Sequence, residues 1–140
     1  MAFIDTLNVG QRIGGRTHKP TSVSLFMYNA AIWNPHRIHY DEPYTTGVEH
    51  HPAIVIDGPL QGDWLAQVVT NWLDGHSSGG TLVAFEYSNR KASYLGQTLT
   101  SGGEIETVDK ATGNVRLTLH IKDVEGDVTS PGSALVRFPV

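Results

Sequence analysis

The sequence predicts an α+β domain in which an antiparallel sheet wraps one long central helix, and two observations predict it. Between Pro59 and Asp74 the apolar residues Leu60, Trp64, Leu65, Val68, Val69, Trp72 and Leu73 recur at helical spacings and make a broad hydrophobic face. From Thr81 onward the chain reads as strands divided by turn residues. A helix this apolar, carrying two Trp, needs cover on several sides, and the following strands can supply it.

Taken in order, the first twenty residues read as an irregular or extended entry ending at Pro20. Thr21 or Ser22 then caps a short helix running through Phe26, Met27 and Tyr28 to Ile32. It stops near Trp33, because Pro35 disfavours helical geometry in Asn34. The residues that follow fall on a loop or a loose turn, where functional groups are commonly displayed. Pro59 suits the first position of the central helix, where its missing N–H is no loss, and Gly75 is the expected C-terminal cap. Strand candidates follow at Thr81–Ser88, Thr98–Thr100 continuing past Gly102 and Gly103 to Val108, Asn114–Lys122 and Ser133–Phe138. The third of these alternates cleanly with period two. Asp109 to Gly113 has the composition of a hairpin loop.

At 140 residues, without a repeat, charge block or composition shift, the chain fits one domain, 1–140. The 39% hydrophobic and 17% charged content is that of a soluble globular protein. The absence of cysteine excludes disulfides and thiolate metal sites, and it suits a cytoplasmic location. No signal peptide opens the sequence, and no apolar run is long enough to span a bilayer. A net charge of −4 argues against a general nucleic-acid binder, while an anionic small molecule remains compatible.

The densest chemistry lies in Asn34-Pro35-His36-Arg37-Ile38-His39-Tyr40-Asp41, which holds two imidazoles, a carboxamide, a guanidinium and a carboxylate. Further on, Val55-Ile56-Asp57-Gly58-Pro59-Leu60-Gln61 reads as a glycine turn opening the central helix. Proton-transfer groups and a helix N-terminus are two parts of a carbonyl-polarising site.

These two stretches resemble the MaoC-like hydratase/dehydratase family, hot-dog folds with a sheet around a long helix. The usual core of that family reads Asp-x-Asn-Pro-x-His-x-Asp. A branch acting on acyl-CoA thioesters instead carries Asn-x-His-Arg-Ile-His-Tyr-Asp and Val-Val-His-Gly-Pro-Leu-Gln, and this chain looks like that branch. The resemblance makes His39 the catalytic histidine and Gly58 the residue whose N–H binds the thioester oxygen. It puts Asn34 where most members have the catalytic aspartate, His36 and Arg37 where many have Asn-Pro, and Asp41 at the closing acid. Asp57 replaces a histidine common before the helix glycine.

The resemblance implies a hydro-lyase that reversibly hydrates a 2-enoyl-CoA thioester, or dehydrates the 3-hydroxyacyl thioester. It needs no cofactor, and its partner molecule is an acyl-CoA or acyl-carrier-protein thioester. A homodimer or higher oligomer is implied, with a heteromer as an alternative. Chemically, water must be activated at Cβ, a proton delivered to Cα, and charge stabilised on the carbonyl oxygen. An imidazole exchanges protons near neutrality, and an N–H at the positive end of a helix can donate to an oxyanion. Asn34 can orient water but cannot take its proton. The base is therefore His39 alone, or His36 or Asp41 supplies the missing group, or the chain is an inactive member.

Plainer readings stand beside these. His39 could be a buried histidine bonded to a loop carbonyl, His36 could serve only in packing, and Arg37 with Asp41 reads foremost as a loop-bracing ion pair. His36, His39 and Asp41 also have the types of zinc ligands, a minor reading. Asp57 is expected to cap the central helix with its side chain. Trp64 and Trp72 read as core, His50 and His51 as a loop rim, and Arg90 with Lys91 as an exposed pair rather than a CoA-phosphate site. Two other functions compete. One is a thioesterase with Asp63 as base, and the other is a non-catalytic subunit of a hot-dog heteromer, prompted by Asn34.

Overall fold

The computed structural model describes residues 2–140. Five antiparallel strands form one sheet in the order β1-β3-β4-β5-β2, built from β1 (Arg12–His18), β2 (Thr81–Tyr87), β3 (Leu99–Asp109), β4 (Asn114–Lys122) and β5 (Val128–Arg137). Helix α3 (Gly58–Asp74) lies in the curve of that sheet and touches all five strands, the hot-dog arrangement. Two shorter helices, α1 (Ser22–Ala31) and α2 (Glu42–Gly47), precede it.

The core is the seam between α3 and the sheet. Along β4 the side chains of Val115, Leu117, Leu119 and Ile121 are buried while their neighbours alternate outward, so the period-two pattern becomes one apolar face. Leu65 and Val69 of α3 are fully buried, and Trp64 and Trp72 are core residues as expected. Each such side chain contributes roughly 1.5–3 kcal/mol by leaving water.

Edge strand β1 wraps over α3 through a bulge between Ile13 and Arg16. Gly14 and Gly15 hold φ of +60° and +127° there, and a Cβ on Gly14 would come within 2.8 Å of Val68 Cγ1. Glycine thus supplies both the left-handed backbone and the room for strand and helix to meet.

Local signals set the helix ends. Thr21 Oγ1 accepts from the Ser24 N–H at 3.1 Å, and Ser24 Oγ accepts from the Thr21 N–H at 2.8 Å, a reciprocal cap. Gly75 is the C-terminal cap of α3, as expected, in right-handed geometry at φ −67° with its N–H bonded to Asn71 C=O at 3.0 Å. Strand β5 starts at Val128, before the expected Ser133, because pairing with β4 carries it through Pro131. The entry segment contains β1, and the stretch expected to run from Thr98 past Gly102 and Gly103 to Val108 is the single strand β3. No helix among the described residues is long and apolar enough to cross a membrane.

His18 ends β1 against the helix. Its ring stacks on Trp64 with centroids 4.1 Å apart, and its Nε2 lies 2.9 Å from Ser101 Oγ. Burial, aided by the nearby Arg16 cation, lowers its pKa from 6.5 to about 4. The folded protein therefore keeps His18 neutral where an unfolded chain would protonate it. Its contribution to stability is whole above pH 6.5 and is lost as pH falls toward 4. Urea midpoints should decline through this interval in the wild type, and less steeply in His18→Gln.

Candidate functional site

Two bonds to a single residue, Val55, join segments far apart in sequence. The Val55 N–H donates to Ile38 C=O at 2.9 Å, and the Val55 C=O accepts from His39 Nδ1 at 2.8 Å. The other side of this segment is held by Ile56 N–H to Ser93 C=O at 2.8 Å and Leu95 N–H to Ile54 C=O at 2.8 Å. Ile54, Val55 and Ile56 are buried, so the stretch leading into α3 is anchored by core and backbone together.

The histidine segment is a single 3-10 turn at Arg37–His39 leading into α2. Asp41 caps α2, with its Oδ1 accepting from the Tyr44 N–H at 3.1 Å. Arg37 donates to Asp41 Oδ2 through Nε at 3.0 Å and Nη2 at 2.8 Å, and its guanidinium sits 4.0 Å from the Tyr44 ring centroid. The guanidinium first, and then the Tyr44 N–H, hold the Asp41 carboxyl below the usual range. The ion pair read from sequence is present. Helix α2 was not foreseen, although Asp41 followed by Pro43 is an N-cap with proline in the first turn.

His39 is 7% exposed and Asp57 is fully buried. A carbonyl can only accept, so the bond to Val55 makes Nδ1 a protonated nitrogen and leaves Nε2 as the ring nitrogen outside that bond. That Nε2 lies 3.5 Å from Asp57 Oδ2. The expectation for Asp57 is overturned here: it occupies the N-cap position of α3, but its side chain makes no capping bond. It turns instead into a nest of amides. Asn29 Nδ2 donates to Oδ1 at 2.9 Å, and Asn34 Nδ2 approaches Oδ2 at 3.5 Å. Burial pushes the Asp57 carboxyl up, against the lowering effect of the Asn29 bond and the His39 charge.

The backbone fixes both amides. Asn34 Oδ1 accepts from the His36 N–H at 3.1 Å, which turns its Nδ2 toward Asp57. Asn29 Nδ2 also donates to Leu25 C=O at 2.8 Å, and its Oδ1 is buried with no partner. Asn29 was not singled out from the sequence, where it is one polar residue on an otherwise ordinary helix. His36 is exposed, its ring centroid 5.8 Å from that of His39. Of the three residues in the minor metal reading, Asp41 is bonded to Arg37 and His39 uses Nδ1 on a carbonyl, and they do not form a converging cluster among the described residues.

Gly58 opens α3, and none of the hydrogen bonds among the described residues uses its N–H. The Asn89 amide lies against its Cα where a side chain would stand. Ser130 Oγ lies within hydrogen-bond distance of Gln61 Oε1 at 2.8 Å and of Asn89 Oδ1 at 3.0 Å, and the Asn89 Nδ2 faces Gly58. Asn89 too was missed, since it follows β2 without any motif. Beside Asn29 and Asn34 an apolar cavity of about 210 Å³ opens, walled by Phe26, Ala30, Trp33 and Tyr40. The remaining candidates lie elsewhere. Lys91 bonds Asp123 and Asp127 at 2.8 and 2.9 Å, His51 rests on Tyr94, and Asp63 accepts from Tyr28 Oη at 2.7 Å.

Residues 10–95 match the family model described as hydroxyacyl-thioester dehydratase type 2. Over 75 residues the chain is 33% identical to the mesaconyl-C(4)-CoA hydratase of Chloroflexus aurantiacus, covering 54% of this chain and 25% of that protein. The chain spans a quarter or less of the curated relatives it matches. In fold it is similar to the (R)-hydratase of A. caviae involved in PHA biosynthesis, with TM-score 0.77 and 18% identity over 96% of this chain and 98% of that one. It is also similar to a chain of the ChsH1-ChsH2 complex of Mycobacterium tuberculosis, with TM-score 0.79 and 14% identity over 94% and 98%.

The double role of Asp41 separates by substitution. Asp41→Asn keeps the capping oxygen and should lower Tm less than Asp41→Ala, which removes both cap and ion pair; thermal unfolding by circular dichroism reads the difference.

Proposed function

Because the chain belongs to the hydroxyacyl-thioester dehydratase type 2 family, we propose that it catalyses the reversible addition of water to a 2-enoyl thioester. One observation carries the reading: a histidine of fixed tautomer is bonded to the segment leading into α3, beside a helix that opens on an unused N–H.

In the hydration direction the thioester oxygen binds the Gly58 N–H at the positive end of α3, where charge accumulates as the carbonyl takes on enolate character. Water attacks Cβ while His39 Nε2 accepts its proton. The enolate then takes a proton from that nitrogen at Cα, and the carbonyl re-forms. The acyl group extends into the apolar cavity between Phe26, Trp33 and Tyr40, with Asn34 at the boundary between cavity and polar pair. Asn34 orients the substrate or water by its amide. This scheme draws on protein groups, water and the thioester, with CoA or an acyl carrier protein as the leash, and requires no cofactor.

The oligomer is proposed as a homodimer. A two-chain complex among the structural relatives keeps a heteromer in view, in which this chain supplies one half. The thioesterase alternative has less support, because its base, Asp63, is engaged by the Tyr28 hydroxyl.

The test is a spectrophotometric assay of enoyl absorbance with 2-enoyl-CoA substrates of graded size, repeated on acyl-carrier-protein thioesters. Wild type should hydrate at least one class, and His39→Ala should lose about 10²–10⁴-fold in kcat. Full activity in His39→Ala would remove His39 from the mechanism. Activity that needs a second hot-dog chain would identify the heteromer, and thioester cleavage without hydration would favour the thioesterase. Gly58→Ala, whose methyl overlaps the Asn89 amide, should reduce kcat with a correctly folded product.

A further inference from the structure

The carboxylate nearest His39 is absent from the histidine segment; it stands at the start of α3. Asp57 Oδ2 is 3.5 Å from His39 Nε2, whereas Asp41, close in sequence, is bound by Arg37 and the Tyr44 N–H. We propose that Asp57 is the positioning carboxylate of the site, acting through His39 by balancing the charge that its imidazole acquires during hydration. The kinetic side of this proposal rests on the hydratase reading; the pairing itself does not.

Three features of the structure support it. First, the N-cap aspartate forgoes the bond to α3 that its position offers, although side-chain capping is the ordinary use of aspartate there. Second, its surroundings are built for a negative oxygen. Asn29 and Asn34 both present N–H to it, and neither can reverse without breaking a bond to Leu25 C=O or the His36 N–H. Third, Asp57 is fully buried, so its charge is met by protein groups, the Asn29 and Asn34 amides at rest and the facing imidazolium once His39 has taken a proton. Position 34 carries the amide and position 57 the acid, so the usual carboxylate is present in the site but enters from the opposite segment.

The proton accounting closes without another reactant. As the water oxygen bonds to Cβ, its proton moves to Nε2 and the alkene electrons pass to the thioester oxygen. The imidazolium then stands beside the Asp57 carboxylate. When the enolate collapses, Nε2 returns the proton to Cα, and the imidazole is neutral again. Asp57 remains a carboxylate throughout. Of the other titratable groups, the His36 ring lies 5.8 Å from that of His39, and Tyr28 of α1 feels the Asp57 charge while its hydroxyl is bonded to Asp63. Burial, followed by the bond to Asp63, raises the pKa of Tyr28, so it stays neutral across the working range.

Two variants and two readouts test the proposal. Asp57→Asn keeps shape and should lose about 100-fold or more in kcat while KM changes little. Asn34→Asp combined with Asp57→Asn exchanges acid and amide across their contact and should recover at least tenfold of that loss. The pairing is read separately from the ¹⁵N resonances of the His39 ring over pH. Wild type should show a second inflection, from the carboxylate, that Asp57→Asn lacks. Wild-type-like kcat in Asp57→Asn, or a loss that the exchange variant fails to recover, would overturn the catalytic role. Identical His39 curves in wild type and Asp57→Asn would overturn the pairing, even if the wild type hydrates no enoyl thioester. A wild type inactive both alone and with a second hot-dog chain that still shows the second inflection upholds the pair and refutes the hydratase reading instead.

Discussion

The backbone of Val55 is the fastening on which the site depends. Its N–H and its C=O are both taken by the same turn, one by the Ile38 backbone and the other by the His39 ring. Breaking either bond leaves a polar group buried, at a cost of about 1–3 kcal/mol, so the two segments have a strong reason to stay in register. That register brings His39 to the start of α3. It also leaves Nε2 as the ring nitrogen outside that bond, so one backbone carbonyl sets both the place of the ring and its tautomer.

Around this fastening the molecule divides its tasks. The sheet and α3 bury the apolar mass, while α1, α2 and the turn between them carry polar groups against one end of the helix. Several features there run against stability. Asp57 is a buried acid whose pKa is raised, Asn29 keeps a buried oxygen without a partner, and Phe26 and Trp33 expose large apolar surfaces beside a cavity. Such costs concentrate at functional sites, and here they concentrate within one cluster.

The sequence made the sheet and central helix legible wherever one face decides the outcome. Strand β4 has the bounds that alternation predicts, and α3 begins one residue ahead of Pro59. Strand β1 was hidden because Gly14 and Gly15 interrupt alternation at the bulge, and the start of β5 was hidden by Pro131, whose pairing is imposed by its neighbours. In the site, the Arg37–Asp41 pair was legible because its members are four residues apart. Asp57 was misread because aspartate before a helix has an obvious local use. Its actual neighbours, Asn29, Asn34 and His39, meet it only through the tertiary fold, as Asn89 meets Gly58.

The bond from His39 Nδ1 to the Val55 carbonyl has a stereochemical consequence. It leaves a single nitrogen, on a ring that cannot turn over, to serve both ends of the addition. One fixed atom reaches one face of a planar alkene. On the proposed chemistry, hydroxyl and hydrogen therefore arrive from the same side, giving syn addition. In D₂O the label would enter Cα as one diastereomer, its handedness set by a main-chain oxygen that never touches the substrate.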